Sequence, residues 1–207
     1  MQDETVTTCT DCGFGFADTP TSRRGHRERH DVWQYGPQLT ATAARLWPDG
    51  AIAIVDALTS QRALRQAAYD AALAWSRPAG SGGASAFPSP EIDGVPDRAY
   101  LYRAGDRVVG FLRAWPADFA RPAVMADDPA GIRFTGETRA VSTCSIGPVW
   151  THHAHRRQGV ARALLAALLA DPERIPGSIS LYAPVSADGR AFVASVFGAE
   201  AEILVRW

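Results

Sequence analysis

The sequence contains no lysine, and every basic residue other than its histidines is an arginine. With 207 residues and a formal net charge of −1, the chain has no charge excess that would draw it to nucleic acid or an anionic membrane. No apolar run approaches the roughly 20 residues that a membrane-spanning helix needs. The acidic start, Met1–Glu4, lacks the basic and apolar regions of a signal peptide. We therefore expect a soluble cytoplasmic protein, and the bias toward arginine and alanine favours a bacterial source.

Cysteine is also scarce, because the chain has 3. Such a number in a reducing compartment excludes a disulfide framework. Cys144 lies in an apolar stretch and is predicted to be a packed core thiol rather than a nucleophile. Hydrophobic content of 46% is typical of a globular protein. The length allows one substantial core with a small appended module.

Turn signals and apolar periodicity predict a mixed α+β fold with a largely antiparallel sheet. The predicted strands are Leu39–Leu46 with Ala51–Val55, Ala99–Arg103 with Arg107–Trp115, Val141–Trp150, Ser178–Ala183 and Glu202–Trp207. The predicted helices run from the N-cap Ser60 to Trp75, over Gly159–Leu169, and from the N-cap Asp188 to Phe197. Residues 77–96 and 116–140 are predicted to be irregular. We expect a small unit over 1–34 and a larger domain over 35–207.

A metal site is predicted in the N-terminal unit. Cys9 and Cys12 share one turn, and His26 and His30 lie four residues apart, on one face of a helix. Two thiolates and two imidazoles can surround a zinc ion tetrahedrally. The segment is short and polar, so a bound metal would be needed to fold it. The spacing therefore predicts a ββα finger of the Cys2His2 type that holds a structural Zn²⁺.

The helix of this finger is rich in arginine, which suggests nucleic-acid contact as one role. A single finger reads only about 3 base pairs, which rarely suffices for specific binding. We favour a structural or substrate-positioning module, with nucleic-acid contact as the alternative. The arginines concerned are Arg23, Arg24, Arg27 and Arg29.

The segment from Val149 to Leu165 predicts a strand, a loop and a helix suited to a pyrophosphate group. Backbone N–H donors converge at a helix N-terminus, where the helix dipole favours an anion. Gly159 lets the backbone approach closely, and small Ala161 allows tight packing of the first turn. Arg156 and Arg157 add guanidinium donors. An ordinary strand–turn–helix with solvated arginines is the alternative.

Arg-x-x-Gly-x-Ala in this setting resembles motif A of the GNAT superfamily of N-acetyltransferases. The resemblance implies the GNAT fold, with a mixed twisted sheet flanked by helices, and acetyl-CoA as co-substrate. It also implies that the strand Gly147–Trp150 splays from its neighbour, so that its backbone binds pantetheine and the thioester oxygen. The residues assigned to acetyl-CoA are Val149, Trp150, Thr151, Arg156, Arg157, Gln158, Gly159, Val160, Ala161 and Arg162.

With a finger in front of this domain, the chain resembles the eukaryotic sister-chromatid-cohesion (cohesin) acetyltransferases. The shared motifs are Cys9–Gly13, Trp47–Gly50, Arg107–Leu112, Cys144–Trp150 with Arg156-Arg157, Asp188–Phe192 and Phe197-Gly198. The family's active-site serine falls on Gly147 here, and its active-site aspartate falls on Pro184. Neither residue can transfer a proton, so we expect an acceptor other than a cohesin subunit.

Transfer of an acetyl group to an amine needs a neutral nucleophile and a proton for the departing thiolate. Candidate general bases are Asp118, Glu137 and His152, and a solvated loop residue is the alternative for each. Tyr182 is the candidate acid, as tyrosines are in many GNAT enzymes, and a core aromatic is its alternative.

The function we expect is acetyl-CoA-dependent N-acetylation of a primary amine, with a small molecule as partner and no membrane or nucleic acid. Carboxylates over 116–140 would suit a polycation such as an aminoglycoside antibiotic, which would make the protein a resistance enzyme. A solvated loop is the alternative for these carboxylates, Asp118, Asp127, Asp128 and Glu137. A protein-lysine acceptor is the second candidate, and a nucleic-acid-binding or acyl-CoA-sensing regulator belongs to another class. The oligomeric state stays open.

Overall fold

The computed structural model describes residues 6–39, 50–76, 87–88, 96–127, 131–183 and 185–206. The strands are β1 (Val6–Thr8), β2 (Gly15–Ala17), β3 (Ile52–Asp56), β4 (Arg98–Ala104), β5 (Arg107–Met125), β6 (Ile132–Phe134), β7 (Arg139–Thr151), β8 (Ser178–Tyr182) and β9 (Ile203–Arg206). The helices are α1 (Pro20–Tyr35), α2 (Arg62–Ser76), α3 (Val160–Ala170) and α4 (Ala187–Phe197). The predicted strand Leu39–Leu46 beyond its first residue, most of 77–96, Asp128 and Pro184 lie outside the described residues. None of the described helices has the length and apolar character to cross a membrane.

The N-terminal unit is the predicted ββα arrangement, in which β1 and β2 pair antiparallel ahead of α1. α1 begins after Thr19, whose hydroxyl accepts a hydrogen bond from the Ser22 N–H at 3.2 Å. Pro20 suits the first helical position because its missing N–H would have had no intrahelical partner. α1 ends at Tyr35, because Gly36 turns the chain with a φ of +81°.

The main sheet has seven strands in the order β3-β4-β5-β7-β8-β9, with β6 paired to β5. The pairings are antiparallel except for β7 with β8 and β8 with β9, which are parallel. The late part of β5 also pairs with β9, with Ala123 opposite Ile203, so β5, β7, β8 and β9 form a closed ring of pairings. The predicted fold class, a mixed and largely antiparallel sheet flanked by helices, is confirmed.

The prediction that residues 116–140 are irregular was wrong for most of that stretch. β5 continues through Pro116 and Pro122 to Met125, and β6 follows at Ile132. Prolines usually exclude a central strand because they donate no ladder hydrogen bond. Here β7, β9 and β6 pair with β5 in succession, and two bulges absorb the irregularities. Long-range pairing thus overrides the local signal.

Two predicted helix caps were also wrong. The Ser60 hydroxyl accepts a hydrogen bond from the Asp56 N–H at 2.8 Å, which closes a turn after β3, and α2 begins at Arg62. At α4 the cap is Ser186, whose hydroxyl accepts from the Gly189 N–H at 3.1 Å. Asp188 lies inside the first turn, where its charge suits the helix dipole.

Helices cover both faces of the sheet. On one face α2 packs against alternate strand residues such as Val55, Leu101 and Phe111. On the other face α3 and α4 pack against Leu112 and Ile146, among others. This two-faced burial explains why neighbouring residues of one strand belong to separate clusters. The packing of α3 on this face also places its first turn near the end of β7.

Gly110 of β5 brings the sheet close to the first turn of α3. A Cβ at this position would lie 2.4 Å from Cγ1 of Val160 and 3.1 Å from Cδ1 of Leu164. No side chain fits in that space, so glycine is required for the approach. The sheet therefore holds the N-terminus of α3 by direct backbone-to-side-chain packing.

Candidate active site and metal site

The predicted metal ligands converge in the finger. The ligand atoms of Cys9, Cys12, His26 and His30 all lie within 4.8 Å of one another. Sγ of Cys9 lies 3.6 Å from Nδ1 of His30, and Sγ of Cys12 lies 3.5 Å from Nε2 of His26. Tetrahedral zinc, with bonds of about 2.3 Å to sulfur and about 2.0 Å to nitrogen, places sulfur and nitrogen about 3.5 Å apart. Two sulfur–nitrogen pairs thus have the spacing that the metal requires, and the four residues form a possible zinc-binding group.

Electrostatics and packing support this ligand set. The backbone N–H groups of Cys12 and Asp11 lower the pKa of Cys9 to about 6, which favours the thiolate that binds metal. Nε2 of His30 faces Oδ2 of Asp11 at 3.9 Å, an outer partner that suits a ligating imidazole. The ring of Phe16 stacks on His26 with centroids 4.2 Å apart, which fixes the orientation of that imidazole.

The predicted pyrophosphate loop joins β7 to α3. After Thr151 the chain forms a single 3-10 turn, His153–His155, and Gly159 then turns into α3 with a φ of +83°. No side chain caps α3, so the N–H groups of its first turn face outward as in an anion site. A Cβ on Gly159 would meet nothing within 4 Å, which leaves open space in front of these donors.

The loop arginines are placed to supplement the backbone donors. Arg157 adopts a φ of +62° and is exposed. The exposed guanidinium of Arg156 lies 3.6 Å from the carboxylate of Asp188 at the start of α4. Exposed ion pairs of this kind contribute about 1 kcal/mol or less, so a phosphate can displace the carboxylate at little cost.

β7 separates from β8 in the manner that the resemblance implies. Pairing of the two strands runs from Thr143 to Ile146, where Ile146 lies opposite Leu181. β7 then continues to Thr151, paired with β5 on its other side. A bulge in the β5–β7 pairing faces Gly147, which has a φ of +141°. The edge of β7 beyond Ile146 therefore presents backbone groups that β8 does not pair.

Tyr182 stands beside this separation. A Cβ on Gly147 would lie 3.2 Å from Cβ of Tyr182, and the Tyr182 side chain is 48% exposed. Its ring contacts Trp115 edge-on at 5.5 Å. Of the four predicted acid–base residues, Tyr182 is the one that the structure places where β7 and β8 part.

Three residues that sequence reasoning missed, Trp115, Arg113 and Asp97, form a wall beside the separation together with Tyr182. The guanidinium of Arg113 lies 4.5 Å above the Trp115 ring and binds Asp97 with two nitrogens, at 2.7 and 2.5 Å. Burial raises the pKa of Asp97, and the charge of Arg113 opposes that shift. Arg113 and Trp115 alternate on β5 and so share a face, which is a signal in the sequence. Nothing in the sequence pairs Arg113 with Asp97.

His152 occupies a different place from the one expected of a general base. It is 2% exposed, and its Nδ1 accepts a hydrogen bond from the Ala154 N–H at 3.3 Å. Nε2 therefore carries the proton and donates to the carbonyl of Trp33 at 3.1 Å. Burial, followed by the nearby His153, lowers the pKa of His152. The neutral ring has no free lone pair, so this geometry argues against proton abstraction by His152.

The two carboxylate candidates lie away from the separation. Asp118 is exposed on β5, and its neighbours Ala117 and Phe119 pair with the early part of β7. Glu137 is exposed just before β7 begins at Arg139, so the stretch of β7 from Arg139 to Gly147, roughly 26 Å at about 3.3 Å per residue, lies between it and Gly147. The structure does not bring either carboxylate to Tyr182.

Cys144 is a packed thiol, as predicted. It is fully buried against the α3 face of the sheet, and burial raises its pKa to about 11. A thiol in that state is a poor nucleophile at neutral pH.

Comparison with known proteins agrees with this geometry. The family model described as "Acetyltransferase (GNAT) family" matches residues 66–192. A solved structure of the xEco2 acetyltransferase domain bound to a CoA conjugate is 18% identical over 75% of this chain and 92% of that chain, with a TM-score of 0.54. A second structure of the xEco2 acetyltransferase domain is 19% identical over 75% of this chain and 89% of that chain, with a TM-score of 0.53. A search of curated protein sequences gives no match.

The likeness to xEco2 shows a shared fold, which accords with the resemblance inferred from the motifs. The family match covers β4 to β8, the predicted pyrophosphate loop and α3, and the similar xEco2 structure holds a CoA conjugate. The chain therefore belongs to the GNAT family of acetyltransferases.

Proposed function

We propose that this protein transfers the acetyl group of acetyl-CoA to a primary amine of a small molecule. The observation that carries the proposal is the edge of β7 beyond Ile146, which no strand of the described residues pairs on the β8 side and which connects the surroundings of Tyr182 to the N-terminus of α3. A thioester held along this edge would meet an amine beside Tyr182, on the wall formed with Trp115.

On the donor side, the backbone of the loop and α3 would hold the pyrophosphate. The N–H groups of Val160 and Ala161 belong to the first turn of α3, where they lack intrahelical acceptors. Arg156 and Arg157 would neutralise the remaining charge. Backbone groups of Val149 on the open edge would hydrogen-bond the pantetheine arm. Residues Trp150, Thr151, Gln158 and Arg162 complete the proposed donor site.

On the acceptor side, Tyr182 would supply the proton that the leaving sulfur takes. The amine nitrogen forms the amide bond as the carbon–sulfur bond breaks, and the sulfur leaves as a thiol. The proton lost by the amine returns to the phenolate through solvent. The Tyr182 side chain is 48% exposed, which permits this exchange.

A small amine fits this wall for two reasons. The half-exposed ring of Tyr182 offers a face that attracts an ammonium group, and Gly147 adds no side chain to the space beside it. An aminoglycoside-type antibiotic is the first acceptor to test, because it is a small molecule with several primary amines that an aromatic face attracts. Activity of that kind would make the protein a resistance enzyme. The carboxylates of Asp118 and Glu137 lie away from Tyr182 and do not carry this choice.

A protein lysine is the second candidate acceptor, and the shared fold with the xEco2 acetyltransferase domain favours it. Nucleic acid is a poorer candidate partner, because a single finger reads only about 3 base pairs and the chain has a formal net charge of −1.

The test is acetyl-CoA turnover with aminoglycosides, polyamines and lysine peptides, with products identified by mass. Self-acetylation of lysine cannot contribute, because the chain has none. We expect an amide product with at least one small amine and a loss of about 10²-fold in kcat for Tyr182→Phe. The control, Tyr69→Phe on α2, should retain full activity. Exclusive turnover of lysine peptides would replace the small-molecule proposal, and tight CoA binding without any amide product would refute catalysis.

A further inference from the structure

The C-terminal end of the finger helix α1 touches the pyrophosphate loop directly. The carbonyl of Trp33 accepts the Nε2–H of His152 at 3.1 Å. That carbonyl lies in the last turn of α1, where it has no intrahelical partner. The Trp33 ring stacks on His153, the first residue of the 3-10 turn, with centroids 5.0 Å apart and planes 29° apart. One finger residue thus contacts two successive residues of the loop.

Further contacts hold α1 against the hairpin between β4 and β5. The Arg107 guanidinium binds Asp31 at 2.7 Å and the Gly36 carbonyl at 3.0 Å. The Val108 N–H donates to the Pro37 carbonyl at 2.8 Å. A Cβ on Gly36 would lie 2.1 Å from the Val108 carbonyl oxygen, so the chain passes the sheet as closely as backbone allows. The finger is therefore docked on the domain rather than tethered to it.

These contacts connect a metal ligand with the loop in two steps. His30 and Trp33 are three residues apart on α1 and so share a face, with ring centroids 6.0 Å apart. Trp33 in turn reaches His153 and His152. The loop continues from these histidines through Arg156 and Arg157 to Gly159, the proposed pyrophosphate site.

We propose that Trp33 is a positioning residue for acyl-CoA, through which the zinc-ordered finger holds the pyrophosphate loop in its binding conformation. This inference rests on the proposed donor site and adds a role for the finger. The finger has too little apolar content to fold without its metal, so loss of zinc would release Trp33 from the loop. Zinc and acyl-CoA then each strengthen the binding of the other by the same factor.

The size of the effect follows from what Trp33 supports. It orders the loop but touches no reacting atom, so its loss should weaken CoA binding without changing the chemical step. We expect Trp33→Ala to raise the Kd for CoA by about five- to tenfold, the lower range of coupling between sites. The KM for acetyl-CoA should rise to match, with kcat nearly unchanged, because the contact holds ground state and transition state alike.

The first experiment measures CoA binding by calorimetry and zinc content for wild type, Trp33→Ala and Trp33→Phe. Phenylalanine keeps a ring for His153 and should restore most of the affinity. The matched control is Arg24→Ala, which removes an exposed side chain from the same helix. His153→Ala removes the ring partner from the loop side and leaves the finger intact, so it should reproduce the effect of Trp33→Ala with full zinc content.

A truncated substrate separates loop positioning from general loosening of the fold. S-acetylpantetheine lacks the pyrophosphate, so its kcat/KM should be the same in wild type, Trp33→Ala and His153→Ala. Equal losses for acetyl-CoA and S-acetylpantetheine would overturn the proposal, because they would show damage outside the loop.

The reciprocal experiment measures zinc affinity by equilibrium competition with a chromogenic chelator. Saturating CoA should lower the Kd for zinc of the wild type about five- to tenfold and should have little effect on Trp33→Ala. If the wild type binds CoA, and neither the substitutions Trp33→Ala and His153→Ala nor removal of zinc by the chelator changes the Kd for CoA, the proposal is wrong while the donor site stands. If the wild type binds no CoA, the proposed function itself fails.

Discussion

Replacement of Gly110 with alanine should displace the start of α3 and weaken acetyl-CoA binding. The new methyl group would lie 2.4 Å from Cγ1 of Val160, whereas carbon atoms pack at about 3.5 Å or more. Val160 must therefore move by about 1 Å, and its backbone N–H is the first hydrogen-bond donor of the proposed pyrophosphate site. Overpacking of this kind costs about 1–3 kcal/mol of stability. A shift of about 1 Å also exceeds the range of good N–H···O distances, about 2.7–3.2 Å.

Urea unfolding and calorimetry with CoA measure the two effects separately. We expect the free energy of unfolding to fall by about 1–3 kcal/mol and the Kd for CoA to rise about tenfold, which corresponds to about 1.4 kcal/mol. Gly25→Ala is the matched control, because a Cβ there meets nothing within 4 Å and the residue lies in α1. It should be neutral or slightly stabilising. Wild-type stability and affinity in Gly110→Ala would show that the packing of β5 on α3 does not place the donors.

Two further predictions concern the core. Asp171→Ala should lower the free energy of unfolding by about 3–5 kcal/mol, because the buried carboxylate accepts a hydrogen bond from Tyr100 Oη at 2.8 Å and binds Arg98 at 3.2 Å. Urea unfolding measures this loss beside the control Asp18→Ala, which removes an exposed ion pair and should cost about 1 kcal/mol or less. Equal losses in the two variants would contradict the prediction. Burial raises the pKa of Cys144 from an ordinary 9.0 to about 11. As the pH rises, the thiol therefore ionises in the unfolded chain before it ionises in the folded one. About 2–3 kcal/mol of folding stability that is present below pH 9 should be lost by pH 11. The loss should be smaller in Cys144→Ala when unfolding is measured at several pH values across this range, and identical pH profiles would refute it.

The local parts of the site could be predicted from the sequence because their information lies within short segments. Cys9, Cys12, His26 and His30 follow a spacing that a single hairpin and helix can close around a metal, and the structure brings them within 4.8 Å of one another. The strand, loop and helix around Gly159 are likewise one continuous segment. Apolar periodicity and the need for a helix N-terminus are local properties, so these elements appear where they were expected.

The acid–base candidates could not be sorted in the same way. Tyr182, His152 and Glu137 belong to different strands and loops, and their distances depend on how β7 pairs with β5 and β8. The structure leaves Tyr182 at the separation of the strands, uses His152 to bind the finger, and places Glu137 at the far end of β7. Strand register and burial decided these roles, and neither can be derived from the local sequence around each residue.

The sequence by itself determined the Cys/His group of the finger, the strand–loop–helix segment around Gly159 and the fold family, because each depends on residues with a fixed period or spacing. Only the tertiary structure decided that β5 runs unbroken past two prolines, that Arg113 pairs with Asp97, and that Trp33 rests on His153. The physical reason is that such contacts join residues far apart in the chain. Their energy comes from shared burial and pairing, which arise only once the sheet has assembled.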